Sequence, residues 1–310
     1  MENQKKHAPL KYFGKRIKTA PVLFAAMVIF ALFFFGSGIY FAIIGQSRNS
    51  IMSFAFTLII PAFYVIEGLL RVKVSTVFAI FLMLFSAGTI IGACYDVYTY
   101  VPFFDTILHG MWGVVFVVMG FVIAKKFFGE TDTNKSFFGC LMLGFFFCLA
   151  MALVWELFEY LSYVVGGYDM QEDEIITEFY SYYLSEGHLH IEPIHIDNIT
   201  HTIIFYGDGQ QYTIPGGYLD IGLIDTEIDM AICFICSVIF FGIMTADWFL
   251  GKRLYKWLIP SLLEDKPSDG KTEEVDMAQS EQVAEADVQP DQSDEISDKT
   301  EKTENPEQIQ

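Results

Sequence analysis

The 310-residue sequence lacks most of the features by which a chain declares its function. It has no G-x-S-x-G elbow, no H-E-x-x-H pair and no phosphate-binding loop, which excludes the common serine-hydrolase, zinc-protease and P-loop signatures. It has few cysteines: Cys94, Cys140, Cys148, Cys233 and Cys236, all inside or at the end of apolar runs. That placement excludes a disulfide scaffold. The C-x-x-C of Cys233 and Cys236 reads as two small apolar residues in a membrane segment. Positive charge is absent from residues 166–219, which hold nine acids and no Lys or Arg. Aromatic residues are absent from 261–310, where sixteen acids meet four lysines. That tail supplies −12 (4 − 16) of the formal −19. Its low hydrophobicity cannot offset the entropy of ordering, so a disordered acidic tail is expected. No nucleic-acid partner is expected.

What the chain has in abundance is apolar length. A bilayer core of ~30 Å needs ~20 helical residues. Six segments qualify, at about 20–46, 51–71, 75–97, 105–125, 136–164 and 222–250. The first is too long for a signal-peptide core and lacks an A-x-A site, so it is expected to remain as a span. Pro61 lies inside the second and is expected to kink it. The fold class is therefore an all-α membrane protein, a six-helix transmembrane bundle with a small extracytoplasmic loop containing a β-hairpin.

Lys and Arg set the orientation. Lys5, Lys6, Lys11, Lys15, Arg16 and Lys18 precede the first span, and Arg71 and Lys73 follow the second. Lys125, Lys126 and Lys135 follow the fourth, and Lys252, Arg253 and Lys256 follow the sixth. On the opposite side there is only Arg48. The expected organisation is a basic cytoplasmic N-terminus (1–19), spans one to five (20–165), an extracytoplasmic capping loop (166–219), span six with a basic end (220–260) and a cytoplasmic tail (261–310). Multi-pass insertion in the cytoplasmic (plasma) membrane, with both termini inside, follows from this arrangement.

Within the loop, "THTIIFYGDGQQYTI" places two β-rich runs around Gly207-Asp208-Gly209, a hairpin signal. "EDEIITEFYSYYLSEG" reads as a short amphipathic helix with Phe179, Tyr182 and Tyr183 at the membrane interface. His188, His190, His195 and His201 are spaced loosely, so surface positions explain them better than a second metal site does.

The ionisable residues inside the spans fall into three pairs. Asp105 and His109 open span four, Glu156 and Glu159 lie in the "WELFEY" of span five, and Asp225 and Asp229 open span six. Each pair is spaced i,i+3 or i,i+4 and so presents one helical face. Glu156 lies 21 residues beyond Lys135, ~31 Å along a helix, which puts all three pairs at the outer side. Asp96 and Asp220 could join at the rim. Five carboxylates and one imidazole near hydrocarbon cannot all stay ionised without compensation, so some hold protons, a cation sits among them, or the site is wet. An oxygen-rich set with one imidazole suits Mg²⁺, Mn²⁺, Ca²⁺ or Zn²⁺. Helix capping would also explain Asp105 and Asp225, each followed by Thr, and a headgroup-level position beside Tyr160 would explain Glu159. Glu67 is expected to pair with Arg71 one turn on.

Together "FDTILHGMWG", "WELFEYL" and "LIDTEIDM" resemble the three polar signatures of the bacterial inner-membrane family typified by YjdF. That family carries D-x-x-x-H, E-x-x-E and D-T-x-x-D-M in this order on successive spans. The resemblance implies that Asp105, His109, Glu156, Glu159, Asp225 and Asp229 are the matching positions. The family has no established activity, so the resemblance implies a site and no reaction. A D-x-x-x-H at a helix start also occurs in VanZ-like envelope proteins, an analogy only.

Three functions compete. The cluster could hold a divalent cation that acts on an envelope or lipid-linked substrate. It could relay protons or a cation in transport. It could also be a hydrogen-bond network in a scaffold. Transporters of the inverted-repeat kind place their charges at the midplane of two similar halves. Here there is no such repeat and the charges gather at one face, which favours the first reading. Oligomeric state and substrate are not readable from the sequence.

Overall fold

The computed structural model describes residues 16–101, 103–129, 133–188 and 191–262. Six long helices carry the fold: α1 (Pro21–Ile43), α2 (Ser47–Leu70), α3 (Thr76–Cys94), α4 (Phe104–Phe128), α5 (Asn134–Gly166) and α6 (Leu223–Leu250). All six are long and apolar enough to cross a membrane, as their sequence predicts. Two of their starts, those of α3 and α5, are capped by side chains. The Ser75 hydroxyl accepts from Phe78 N to cap α3, and Thr133 accepts from Ser136 N to cap α5. α2 continues on both sides of Pro61. The outward faces are apolar, with Leu32, Ile43, Leu153 and Ile239 all exposed. In a membrane protein those faces contact the lipid bilayer.

Helices α4, α5 and α6 share one core. Val117, Phe121 and Ala124 from α4 pack with Phe137, Leu141 and Cys148 from α5 and with Cys233, Phe240 and Met244 from α6. Two glycines let the backbones approach. A Cβ on Gly113 would lie 2.9 Å from the Cys233 carbonyl, and one on Gly144 would run into the Val117 carbonyl. At the basic end, Trp248 Nε1 donates to Asn134 Oδ1 at 2.8 Å and its ring stacks 4.0 Å from Phe137. Helices α1, α2 and α3 pack around Phe34, Leu23, Met27 and Ile90.

At the basic end, the short strand β1 (Val72–Lys73) pairs with β8 (Ser261–Leu262). The expected tail thus begins with two strand residues, and its remainder, like residues 1–15, lies outside the described residues. Glu67, expected to pair with Arg71, is held by Arg16 at 3.3 Å, a partner 51 residues away.

Between α5 and α6 the loop folds as antiparallel strand pairs. β5 (His201–Tyr206) and β6 (Gln210–Pro215) form the hairpin expected from the Gly-Asp-Gly turn. The amphipathic helix does not form. Its sequence supplies β2 (Glu174–Ile176) and β3 (Phe179–Ser181), which pair with β7 (Tyr218–Asp220) and β4 (Ile194–Ile196). β-branched and aromatic residues dominate that stretch, and strand partners further along the loop decide the outcome. Because β2 pairs with β7, the two ends of the loop are held together above the start of α6.

Candidate functional site

Each of the three core helices buries a stripe of residues three or four apart, and every stripe ends in ionisable side chains. On α5 the stripe Cys140, Gly144, Cys148 and Ala152 continues into Glu156 and Glu159. On α6 the stripe Phe240, Ser237 and Cys233 continues back to Asp229. On α4 the stripe Val117 and Gly113 leads to His109, with Asp105 one turn further. Helical periodicity alone therefore turns these groups inward. One layer below them the helices touch: Cys148 Sγ lies 3.6 Å from Cys233 Sγ and 3.6 Å from the Gly113 carbonyl.

Three of the predicted residues converge closely. His109 Nε2 lies 3.3 Å from Asp229 Oδ2 and 3.5 Å from Asp105 Oδ2. One donor atom from each residue falls within 4.8 Å of the other two. Ligand atoms held ~2.0–2.2 Å from a tetrahedral ion stand about 3.4 Å apart, close to the two shorter edges. His109 and Asp229 are buried and Asp105 is half-buried.

Glu156 and Glu159 adjoin this triad and interact electrostatically with Asp105 and Asp225. Both are buried, and Oε2 of each has no hydrogen-bond partner among the described residues. Such atoms are uncommon in folded proteins, because leaving a buried carboxylate oxygen unpaired is costly. No Lys or Arg forms an ion pair with the cluster among the described residues, and Arg48 lies over the Tyr168 ring instead, 5.2 Å from its centroid.

Asp225 stands one turn above Asp229, half-buried, and its Oδ2 accepts from Glu172 N at 3.0 Å. It does not cap its own helix. That role belongs to Asp220, whose Oδ2 accepts from Ile224 N at 2.9 Å. Asp105 likewise makes no cap bond at the start of α4. Asp96 is exposed, in the left-handed region at φ 56°, and does not join the cluster.

Several neighbours carried no sequence signal. Gln171 Nε2 donates to the Thr226 hydroxyl, which lies against Glu156. Trp155 lies against Glu159. Tyr98, between α3 and α4, packs on Gly92. Burial first, then the carboxylates of Asp105, Glu159, Glu172 and Asp229, push its phenol above the ordinary value. Gln171 and Glu172 belong to the loop, so the loop's first residues close directly over the acidic end.

The loop histidines form no such centre among the described residues. His195 Nε2 meets Glu178 Oε2 at 3.2 Å and its ring stacks on Tyr180, while His201 Nδ1 meets the Thr200 hydroxyl. The side chains of His188 and His190 lie outside the described residues.

A family model described as a predicted membrane protein, DUF2238, matches residues 22–184. The match spans α1 to α5 and the first part of the loop. It includes Asp105, His109, Glu156 and Glu159, and ends before Asp225 and Asp229. No curated protein and no solved structure matches the chain.

Proposed function

We propose that this chain, which belongs to the DUF2238 family of predicted membrane proteins, holds a divalent cation at the acidic end of α4, α5 and α6 and uses it on a small-molecule or lipid-linked substrate of the cell envelope. The observation that carries the reading is the meeting of Asp105, His109 and Asp229 beside two glutamates whose buried Oε2 atoms lack partners. A divalent ion would supply the positive charge that no Lys or Arg among the described residues supplies here. Bound there, it would polarise a substrate oxygen or activate a water molecule. Asp105, His109 and Asp229 are its ligands, Glu156 and Glu159 are further ligands or the groups that take up a proton, and Asp225 anchors the loop above them.

The site lies at one end of the bundle and not at its middle, which favours action at the membrane surface over transport. The distribution of Lys and Arg makes that surface the outer one, with both termini in the cytoplasm of a plasma-membrane protein. A cysteine replacing Asp208 should react with an impermeant maleimide in intact cells, and one replacing Ser280 should not. The reverse pattern would move the site to the inner face.

The cation itself is tested by thermal unfolding of the detergent-solubilised, EDTA-stripped full chain. Adding Mn²⁺ or Zn²⁺ should raise the melting temperature, because an ion that binds only the folded state stabilises it by mass action, about 2.7 kcal/mol at 100 times the dissociation constant. An unchanged melting temperature across Mg²⁺, Ca²⁺, Mn²⁺ and Zn²⁺ would reject the reading.

A further inference from the structure

At the basic end of the bundle the structure contains a cavity of about 570 Å³ walled by three separate segments. The segment before α1 contributes Arg16, the β1 turn contributes Lys73, and the segment after α6 contributes Lys256 and Ser261. The cations there differ in kind. Arg16 is buried and committed: its guanidinium donates to both Glu67 carboxylate oxygens and to the Val74 carbonyl. It braces the wall and brings no net charge, since Glu67 neutralises it. Lys73 and Lys256 are exposed, line the same cavity, and form no ion pair among the described residues. Neither charge is compensated by a described residue.

The rest of the lining is divided. Thr76 and Ser261 offer hydroxyls, whereas Pro21, Val22 and Ile259 are apolar. Val22 is also 65% exposed on the outside of α1. The cavity thus lies where the first turn of a membrane helix meets the end of another. An occupant there has its charged part between two lysines and its apolar part along a lipid-facing helix. Few ligands have both parts.

We propose that this cavity binds the phosphate of an anionic phospholipid headgroup, with Lys73 and Lys256 as the charged contacts and the apolar rim at Val22 receiving the start of the acyl chains. A lysine reaches a phosphate as a point charge and needs no fixed geometry, which suits a headgroup entering from the bilayer. β1–β8 pairing brings the two lysine-bearing segments together, since Lys73 is paired with Ser261 in that ladder. The lipid would therefore bridge the α2–α3 turn and the segment after α6.

The test uses the full chain in detergent, with mixed micelles of phosphatidylglycerol or phosphatidylcholine, read by thermal unfolding and by lipid retention in native mass spectrometry. Phosphatidylglycerol should stabilise the protein and stay bound, and phosphatidylcholine should do so far less. Lys73→Gln and Lys256→Gln should each weaken retention about fivefold, the equivalent of ~1 kcal/mol per basic residue near an anionic surface. Arg253→Gln and Lys126→Gln, at exposed basic positions outside the cavity lining, should leave it unchanged. Equal weakening by the two outside variants would reduce the effect to general surface charge and overturn the proposal. Stabilisation by inorganic phosphate at the same concentration, lost in the Lys73 and Lys256 variants, would replace the lipid by a free anion and overturn it as well.

Discussion

The two ends of the bundle both bury ionisable groups, and they treat them in opposite ways. At the basic end Glu67 is enclosed, yet both its oxygens are satisfied: Arg16 donates to each, and Val74 N donates to Oε1 at 2.7 Å. At the acidic end Glu156 and Glu159 are also buried, and among the described residues no cation pairs with them and each keeps an oxygen without a partner. A membrane protein can therefore neutralise one buried carboxylate, Glu67, from within its own chain and leave others without a cation from the described residues. The Glu67 pair braces the fold. At the acidic site, as proposed above, a cation from outside the chain would complete the cluster.

This contrast predicts opposite signs for similar substitutions. The largest effect is expected from Arg16→Met, which takes the guanidinium from buried Glu67 and should destabilise by about 3–5 kcal/mol. Adding Glu67→Gln should recover much of that loss in unfolding measurements. If the double variant is no better than the single one, Arg16 is not there to compensate the charge.

Asp229→Asn removes an equally buried charge from the other end. In EDTA it should be neutral or stabilising, since one member of a like-charge group is gone. With metal present it should bind Mn²⁺ or Zn²⁺ at least ~100-fold more weakly, the upper range for losing even a supporting group around a metal. A strong loss of stability in EDTA would make Asp229 a structural residue like Glu67. Glu156→Gln should follow the same pattern with a smaller loss, about 10–100-fold in metal affinity. Unchanged affinity would exclude Glu156 from the ion's surroundings.

Much of this contrast was legible in the sequence and some was not. The six spans followed from apolar length, and the hairpin followed from Gly207-Asp208-Gly209. The inward direction of His109, Glu156 and Asp229 followed from spacing, because a helix repeats every 3.6 residues whatever surrounds it. What depends on distant partners stayed hidden. Glu67 is held by Arg16, 51 residues away, and residues 174–181 form strands because β7 and β4 are there to receive them. Asp225 looked like a cap, but Asp220 has the better approach to the free Ile224 N–H, leaving Asp225 for the loop. Tyr98, Gln171 and Thr226 reach the acidic end through tertiary contacts that no local pattern encodes.

The smallest expected effect lies in the loop that closes the acidic end. Burial, then the carboxylates of Asp225 and Glu174, push the Glu172 carboxyl above its usual range. A raised folded value means that the folded loop favours protonated Glu172. That advantage is complete below the unfolded value of about 4.3 and is lost as the pH rises through the folded value. Glu172→Gln, which mimics the protonated form, should give a slight gain in melting temperature at pH 7 that vanishes near pH 4. A gain that persists at pH 4 would mean that charge at Glu172 is not its source.

The central claim is that the acidic end is completed by a cation, and ion content tests it most directly. EDTA-stripped full chain is re-equilibrated with Zn²⁺ or Mn²⁺, freed of unbound ion and analysed by elemental mass spectrometry, with Asp229→Asn treated in parallel. The account predicts about one ion for each wild-type chain and a large loss in the variant, as expected when a charged ligand leaves a closed site. No retained ion in wild type, or the same content in both proteins, would contradict it and leave the carboxylates to share protons among themselves.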